Sequence, residues 1–495
     1  MKKLGILFFI LLVNCVQATP LSVDTLQNNL SKTKKLYSSL LGSSPPDRAG
    51  LTLFATMLPK GGDLHHHFSG SIYVESYLDW VKDNKFCVFK MSNPNLNIQK
   101  FHVFTEPQKL SDAQRAICLS VDEVLRDNIF YRELLMEWSS KDFANHFHAQ
   151  TPPDTHFFDT FKYFEKITPH AYGLGLQQLK ARAKAENVSY LETMLKIVPA
   201  TSSSDLTAIF KKLDPDPSDL QIQTTLAQAY VYLQNDKTTN EKIDDYLEST
   251  EKVSSDLEDA DFRLRFIAYA VRLTAPEDVF SRLYGAFVAA NRNSKIVGVN
   301  IVGPENNNVA MRDYALHMKM FAFLKKQYPN VKLSLHAGEL ALGMVPPEGL
   351  RSHINQAVLT AGASRIGHGV DIAHEKDAPE LLNYMARHQI ALEINLTSNK
   401  DILGIERNAH PISIYRRFKV PFVISTDDSG VSRNNLSDEY VIYIQNYRPS
   451  YEELKSTVYN SIRYSFLTDT EKQNEIKKLN QKFSEFEAQM AMVPQ

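Results

Sequence analysis

At 495 residues, with 55 basic and 57 acidic side chains, the chain can bury a large core and is too evenly charged to hold nucleic acid by neutralising phosphates. Hydrophobic residues make up 43% and charged residues 23%, which excludes a disordered or collagenous chain. No lysine or arginine run forms a basic tail.

Residues 1–18 read as a secretory signal peptide. Lys2 and Lys3 precede an apolar stretch from Leu4 to Val13, and Val16 and Ala18 occupy the small-residue positions before a cut after Ala18. The stretch is short for a membrane span, and no other segment is long and apolar enough to be one. Lipoprotein processing at Cys15 is the weaker alternative, because Asn14 is bulky for that cut. The expectation is a soluble chain, secreted or periplasmic. Cleavage leaves Cys87 and Cys118, which an oxidising compartment would favour as a disulfide; two separate buried thiols are the alternative.

Residues 19–57 form an N-terminal helical segment, with a helix over 22–42 broken by Ser43-Ser-Pro-Pro46. From Leu58 onward, short apolar runs alternate with amphipathic helical stretches. The predicted strands are Gly62–His67, Val188–Leu195, Arg263–Val271, Ile296–Ile301, Lys332–His336, Arg365–His368, Ala391–Asn395 and Pro421–Thr426. Eight strand–helix units over 58–495 predict an α/β fold, a (β/α)8 TIM barrel. Residues 84–154, with both cysteines and few strand candidates, read as a subdomain inserted after the first strand. Residues 202–261 interrupt the repeat with helical runs, and Tyr451–Met490 reads as two helices capping the barrel.

Polar residues fall where the strands end. His65 and His67 close the first strand, and alternation along a strand would converge both rings while His66 points away. Gly303 and Glu305 follow the fourth strand, His336 ends the fifth, His368 the sixth, and Asp427-Asp428 the eighth. Each alone has a bland explanation: a packed turn for His368, or a helix N-cap for the aspartates. Together they need coincidences at matching ends, and a barrel opens all those ends onto one face. Three imidazoles and one carboxylate, from His65, His67, His336 and Asp427, suit a zinc ion that also holds a water of lowered pKa. Glu339, three residues past a ligand, can donate a proton; His368 and Asp428 remain to orient and deprotonate the water. This reads as metal-assisted hydrolysis of a small polar molecule.

These segments resemble the adenosine deaminase family. The resemblance is carried by Pro59-Lys-Gly-Gly-Asp-Leu-His-His-His67, Gly298-Val-Asn-Ile-Val-Gly-Pro-Glu305, His336-Ala-Gly-Glu339, Ile366-Gly-His-Gly369 and Thr426-Asp-Asp428. Asn395-Leu-Thr-Ser-Asn399 and His410-Pro411 also resemble family segments. The resemblance implies one zinc ion per chain on His65, His67, His336 and Asp427, and deamination of adenosine and 2′-deoxyadenosine to the inosine product plus ammonia. Glu339 would protonate purine N1, His368 would steer the attacking hydroxide, Asp428 would bond N7, and the Gly303 backbone would meet N3. Phe157 and Phe161 resemble an apolar lid over the base. The export signal, the two-cysteine insertion and the Pro-Lys-Gly-Gly lead-in resemble the secreted, growth factor-like branch, whose members dimerise through an N-terminal segment; here that segment is short, and a homodimer stays open.

Two positions depart from the pattern. Ser69 stands where family members carry an aspartate facing ribose, and Asn300 replaces an aspartate on the fourth strand. Both bear on the sugar-recognising side of the pocket. The alternatives are a deaminase of adenine or another modified purine nucleoside, and a signalling protein on a vestigial barrel. Trp80 and Trp138 read as packing residues, and His146, His148 and His170 mostly as surface.

Overall fold

The computed structural model describes residues 22–140 and 151–494, so the expected signal peptide over 1–18, His146 and His148 lie outside the described residues. The helix Val23–Gly42 starts at Ser22, whose hydroxyl accepts from the Thr25 amide. It lies along the C-terminal helix Asp469–Met490 of the same chain. Thr33 donates to the Glu487 carbonyl at 3.1 Å and Tyr37 to the Pro449 carbonyl at 2.9 Å.

Eight parallel strands form a nearly closed barrel wrapped by helices, and they sit where the sequence predicts them. They are β1 (Gly61–Asp63), β5 (Val188–Thr193), β6 (Arg263–Val271), β7 (Ile296–Val302), β8 (Lys332–Ala337), β9 (Arg365–His368), β10 (Ala391–Ile394) and β11 (Phe422–Ile424). They pair in chain order from β1 to β11. Near-continuous Val, Ile, Leu and Ala runs suit strands buried on both faces. The first and last strands meet through residues just beyond them: the Asp427 amide donates to the His65 carbonyl at 2.9 Å, and the His67 amide to the Asp427 carbonyl at 3.4 Å. The helix Tyr451–Arg463 closes the opposite end, where Ser461 Oγ accepts from the Gly62 amide at 2.7 Å.

The barrel interior is partly ionic. Arg365 on β9 is fully buried and grips Glu192 on β5 and Glu393 on β10, and its guanidinium stacks 3.6 Å from the Phe466 ring centroid. The ion pairs hold the Glu393 carboxyl down at about 2 against the effect of burial.

Between β1 and β5 the chain adds a three-stranded antiparallel sheet of β2 (Cys87–Phe89), β3 (Val103–Phe104) and β4 (Cys118–Leu119). These strands are two or three residues long, too short to show alternation in the sequence. Cys87 and Cys118 are joined by a disulfide across neighbouring strands, with Cα atoms 5.5 Å apart. Trp138 is buried and its indole N–H donates to the Phe101 carbonyl. Residues 202–261 supply the helices Ser204–Phe210, Asp219–Asn235 and Lys237–Ser254 against the barrel flank. Among the described residues no helix is long and apolar enough to cross a membrane.

The disulfide closes a loop with a sequence separation of 31 residues. Chain entropy then assigns it about 3–4 kcal/mol. Cys118→Ser should lower the urea midpoint accordingly and open the 84–140 region to limited proteolysis while barrel fragments survive; an unchanged midpoint and digestion pattern would refute this.

Candidate metal centre

The extended backbone past β1 turns the rings of His65 and His67 into the mouth and His66 outward, where its Nδ1 lies 3.1 Å from Thr193 Oγ1 on β5. Side-chain nitrogens of His65, His67 and His336 lie within 4.8 Å of one another. The same spacing joins His65, His368 and Asp427, and joins His67, Asp427 and Asp428. Asp427 Oδ1 is 3.1 Å from His67 Nε2 and 3.5 Å from His65 Nε2. The Nε2 atoms of His65 and His67 are buried and have no hydrogen-bond partner within the protein. Buried polar atoms are normally satisfied, so inward-facing lone pairs on clustered rings fit a bound divalent cation.

The residues behind the rings set their tautomers. His65 Nδ1 lies 2.8 Å from Glu393 Oε2, so it carries the proton and leaves Nε2 a lone pair. His336 Nδ1 lies 3.0 Å from Asn300 Oδ1. That oxygen also accepts the amides of Ile301 and His336, so its identity as oxygen is set by donors that cannot flip. Asn300 therefore stands behind a metal-ligand candidate and not on the sugar side of the pocket, which corrects the sequence reading. On a barrel strand an inward residue reaches the neighbouring strand before it reaches the mouth.

Asp427 has φ +59° and His368 φ +69°, left-handed conformations that cost a non-glycine residue about 1–2 kcal/mol. Such strain persists where surrounding structure over-determines it. Burial opposes ionisation of Asp427, but the His65 and His67 imidazoles beside it outweigh burial and hold its carboxyl well below the ordinary value.

Glu339 is buried with one carboxyl oxygen 3.6 Å from His368 Nε2. Burial, then the Asp427 charge, raises its carboxyl well above the usual range, which favours the protonated form. Glu305 fixes the turn that carries it: its two oxygens accept from the Gly338 and Glu339 amides at 3.0 and 2.9 Å, and it also meets His353 Nδ1. Asp428 is buried beside Asp427, which with desolvation raises its carboxyl too, and its Oδ1 has no partner within the protein. A Cβ on Gly70 would sit 1.6 Å from that oxygen, so only glycine permits the approach.

Gly303 follows β7 with φ +105°. Three residues on, Asn306 donates to Asp154 at 2.8 Å, tying the loop to the start of the helix Pro153–Asp159. Phe157 on that helix is buried and Phe161, on the next, is half-buried; their ring centroids are 6.3 Å apart. Ser69 is half-buried on the short helix Phe68–Ser71, and its carbonyl accepts from Tyr77. His170 is exposed and touches Phe86. A cavity of about 360 Å³ lies on the outer side of β1, lined by Asp63, His66, Tyr73 and Arg182; it holds none of the clustered ligand atoms and is separate from this centre. Sequence reasoning assigned no role to Glu393, Asn399 or His410, which stand behind the mouth on β10, on the helix Leu396–Leu403 and in the bend before the helix Ile412–Phe418.

A sequence profile described as adenosine deaminase matches residues 236–482. The adenosine deaminase of Vibrio cholerae is 31% identical over 183 residues, 37% of this chain and 50% of that protein. That of Clostridium acetobutylicum is 29% identical over 194 residues, 39% of this chain and 53% of that one. The chain thus spans about half the length of the curated relatives it matches. An Arabidopsis N6-methyl-AMP deaminase superposes with a TM-score of 0.54 at 19% identity, covering 87% of this chain and 99% of that one. The adenine deaminase of Arthrobacter aurescens gives 0.52 at 15% identity, covering 86% and 98%. An amidohydrolase of Burkholderia ambifaria with bound zinc gives 0.51 at 16%, covering 89% and 95%. With its barrel, its ligand cluster and its profile match in agreement, the chain belongs to the adenosine deaminase family.

Proposed function

We propose that the chain hydrolyses the 6-amino group of adenosine and 2′-deoxyadenosine, giving the inosine product and ammonia. The observation that carries this is a buried Glu339, its carboxyl raised well above the usual range by burial, set 3.6 Å from His368 Nε2 at the edge of the His65, His67, His336 and Asp427 cluster. Those four residues would hold the metal, and zinc is the ion their donor set suits best. Bound there, zinc supplies Lewis acidity that brings the pKa of a coordinated water towards neutrality.

The chain's own residues do the rest. Water adds its oxygen to purine C6 while Glu339 gives its proton to N1, so the ring accepts the electron pair of the C6–N1 double bond. His368 holds the incoming oxygen in line from its Nε2 side. One proton of the added water passes to the amino group, which leaves with the electron pair of its C6–N bond as ammonia, the other restores Glu339, and the C6 oxygen remains as the carbonyl. Asp428, whose carboxyl burial and the neighbouring Asp427 push up towards the protonated form, would present a donor suited to N7. The Gly303 backbone, in the loop after β7, and the Phe157 and Phe161 rings, on the two short helices from Pro153, would meet the base.

The sugar side is less charged than the family pattern: Ser69 donates and accepts but carries no charge. The named activities of the structural neighbours, on adenine and on N6-methyl-AMP, motivate the second reading, a deaminase of another 6-aminopurine. Export rests on the apolar leader and on the Cys87–Cys118 disulfide, which suits an oxidising compartment.

Zinc-loaded protein should convert adenosine and deoxyadenosine faster than adenine, N6-methyl-AMP or AMP, read by ammonia release. A reversed order selects the second reading, and no turnover of any of them ends both. Glu339→Gln should lose about 100-fold or more in kcat with zinc retained. A biological effect that survives this change would favour a signalling role.

Asn300→Ala removes the acceptor behind His336 and should weaken zinc about 10- to 100-fold in a chelator competition. Unchanged retention would mean that His336 is not a ligand.

A further inference from the structure

The spacing of ligand atoms at the mouth does not by itself separate His336 from His368, because both rings form close triads with His65. The groups behind His368 separate them. The sequence of contacts begins at a donor with no freedom to invert, the backbone amide of Ile412. It points at His410 Nδ1 over 3.3 Å, so that nitrogen accepts and the proton of His410 sits on Nε2. His410 Nε2 lies 3.1 Å from Asn399 Oδ1 and donates to it. The Asn399 amide is thereby oriented with its NH2 towards His368, and Nδ2 lies 2.9 Å from His368 Nδ1. Asn395 Nδ2 approaches the same nitrogen at 3.4 Å. His368 Nδ1 must then accept, and the ring's proton is on Nε2, facing the mouth.

We infer that Asn399 and His410 are positioning residues that lock His368 in its Nε2–H form, making it a hydrogen-bond donor at the mouth and withholding it from the metal. The inference rests on the proposed deamination for its purpose, but not for its geometry. The two tautomers carry the same charge and differ only in which nitrogen bears the proton. In the Nε2–H form the ring can donate to an oxygen beside Glu339 and Asp427, whose carboxyl atoms lie 3.6 and 3.9 Å away. In the other form it would turn a lone pair on the same space, as His65 and His336 do. All three residues of the relay are buried, so no bulk water competes for the amide or the rings. Burial also drives the His410 imidazole down to about 3, which keeps it the neutral single donor that the relay requires.

The direct test is neutron diffraction from deuterated crystals of the full chain, with and without zinc. The expected result is deuterium on His368 Nε2 and none on Nδ1; deuterium on Nδ1 overturns the inference whatever the enzyme's substrate. Two variants test its consequence. Asn399→Asp offers acceptors to both neighbours, so it should move the His368 proton to Nδ1 and lower kcat about 100-fold, with the loss in kcat and not in KM. His410→Phe frees the Asn399 amide to turn and should cost kcat about tenfold. His410→Gln, whose amide can still donate to Asn399, should recover most of that. Wild-type turnover in Asn399→Asp, or equal losses in the two His410 variants, would sink the inference. If the wild type deaminates no purine, the function fails while the neutron result still decides the tautomer.

Discussion

A carboxylate wedged inside the barrel decides which way His65 faces, and the centre is built outward from that contact. Glu393 accepts from His65 Nδ1 on one oxygen and from Ser334 and Arg365 on the other. It is wholly buried, as are Arg365 and Glu192, to which Arg365 also binds. Buried ion pairs seldom stabilise a fold more than apolar packing would, because desolvation offsets the attraction. The return here is orientation. An apolar filling at this depth would let the imidazole of His65 rotate, whereas an acceptor held by its own ionic partner fixes the Nδ1 proton and aims Nε2 at the mouth.

The place where the barrel closes is also the place where the ligands meet. The Asp427 amide and carbonyl join the ends of β1 and β11 by bonding His65 and His67 backbone groups, while its side chain faces both rings. Closure and ligand geometry are therefore one event. Two further acids, Glu339 and Asp428, lie beside Asp427, and burial and its charge push both carboxyls above their ordinary range. A divalent ion on the opposing lone pairs would relieve that arrangement, so affinity for the metal and stability of the seam are coupled.

The sequence was readable where function and topology coincide. Strands β6 and β9 keep their predicted ends, and His65, His67, His336, His368, Asp427 and Asp428 all reach one face because parallel strands share their C-terminal rim. What stood behind them was not readable. Glu393 looks like any polar residue at a strand end, and nothing in spacing couples it to a histidine 328 positions earlier. Asn300 was misread because pattern matching shows a replaced aspartate but not the direction of its amide. The short strands β2 to β4 escaped because two or three residues cannot display a period. In each case the missing information is a contact across strands, which a single chain of letters does not carry.

The imidazoles of the mouth are chemically alike, and the protein tells them apart by what it places at the far nitrogen. A carboxylate behind His65 and an amide oxygen behind His336 both draw the proton inward and leave a lone pair outward. An amide nitrogen behind His368 does the reverse. The choice of amide over carboxylate at Asn300 has a further consequence. The surroundings already hold Asp427, Asp428, Glu339, Glu305 and Glu393, and an ionised sixth acid would add another buried charge whose desolvation must be offset. An amide oxygen fixes the tautomer of His336 equally well while adding no charge to a buried mouth already lined with carboxyls.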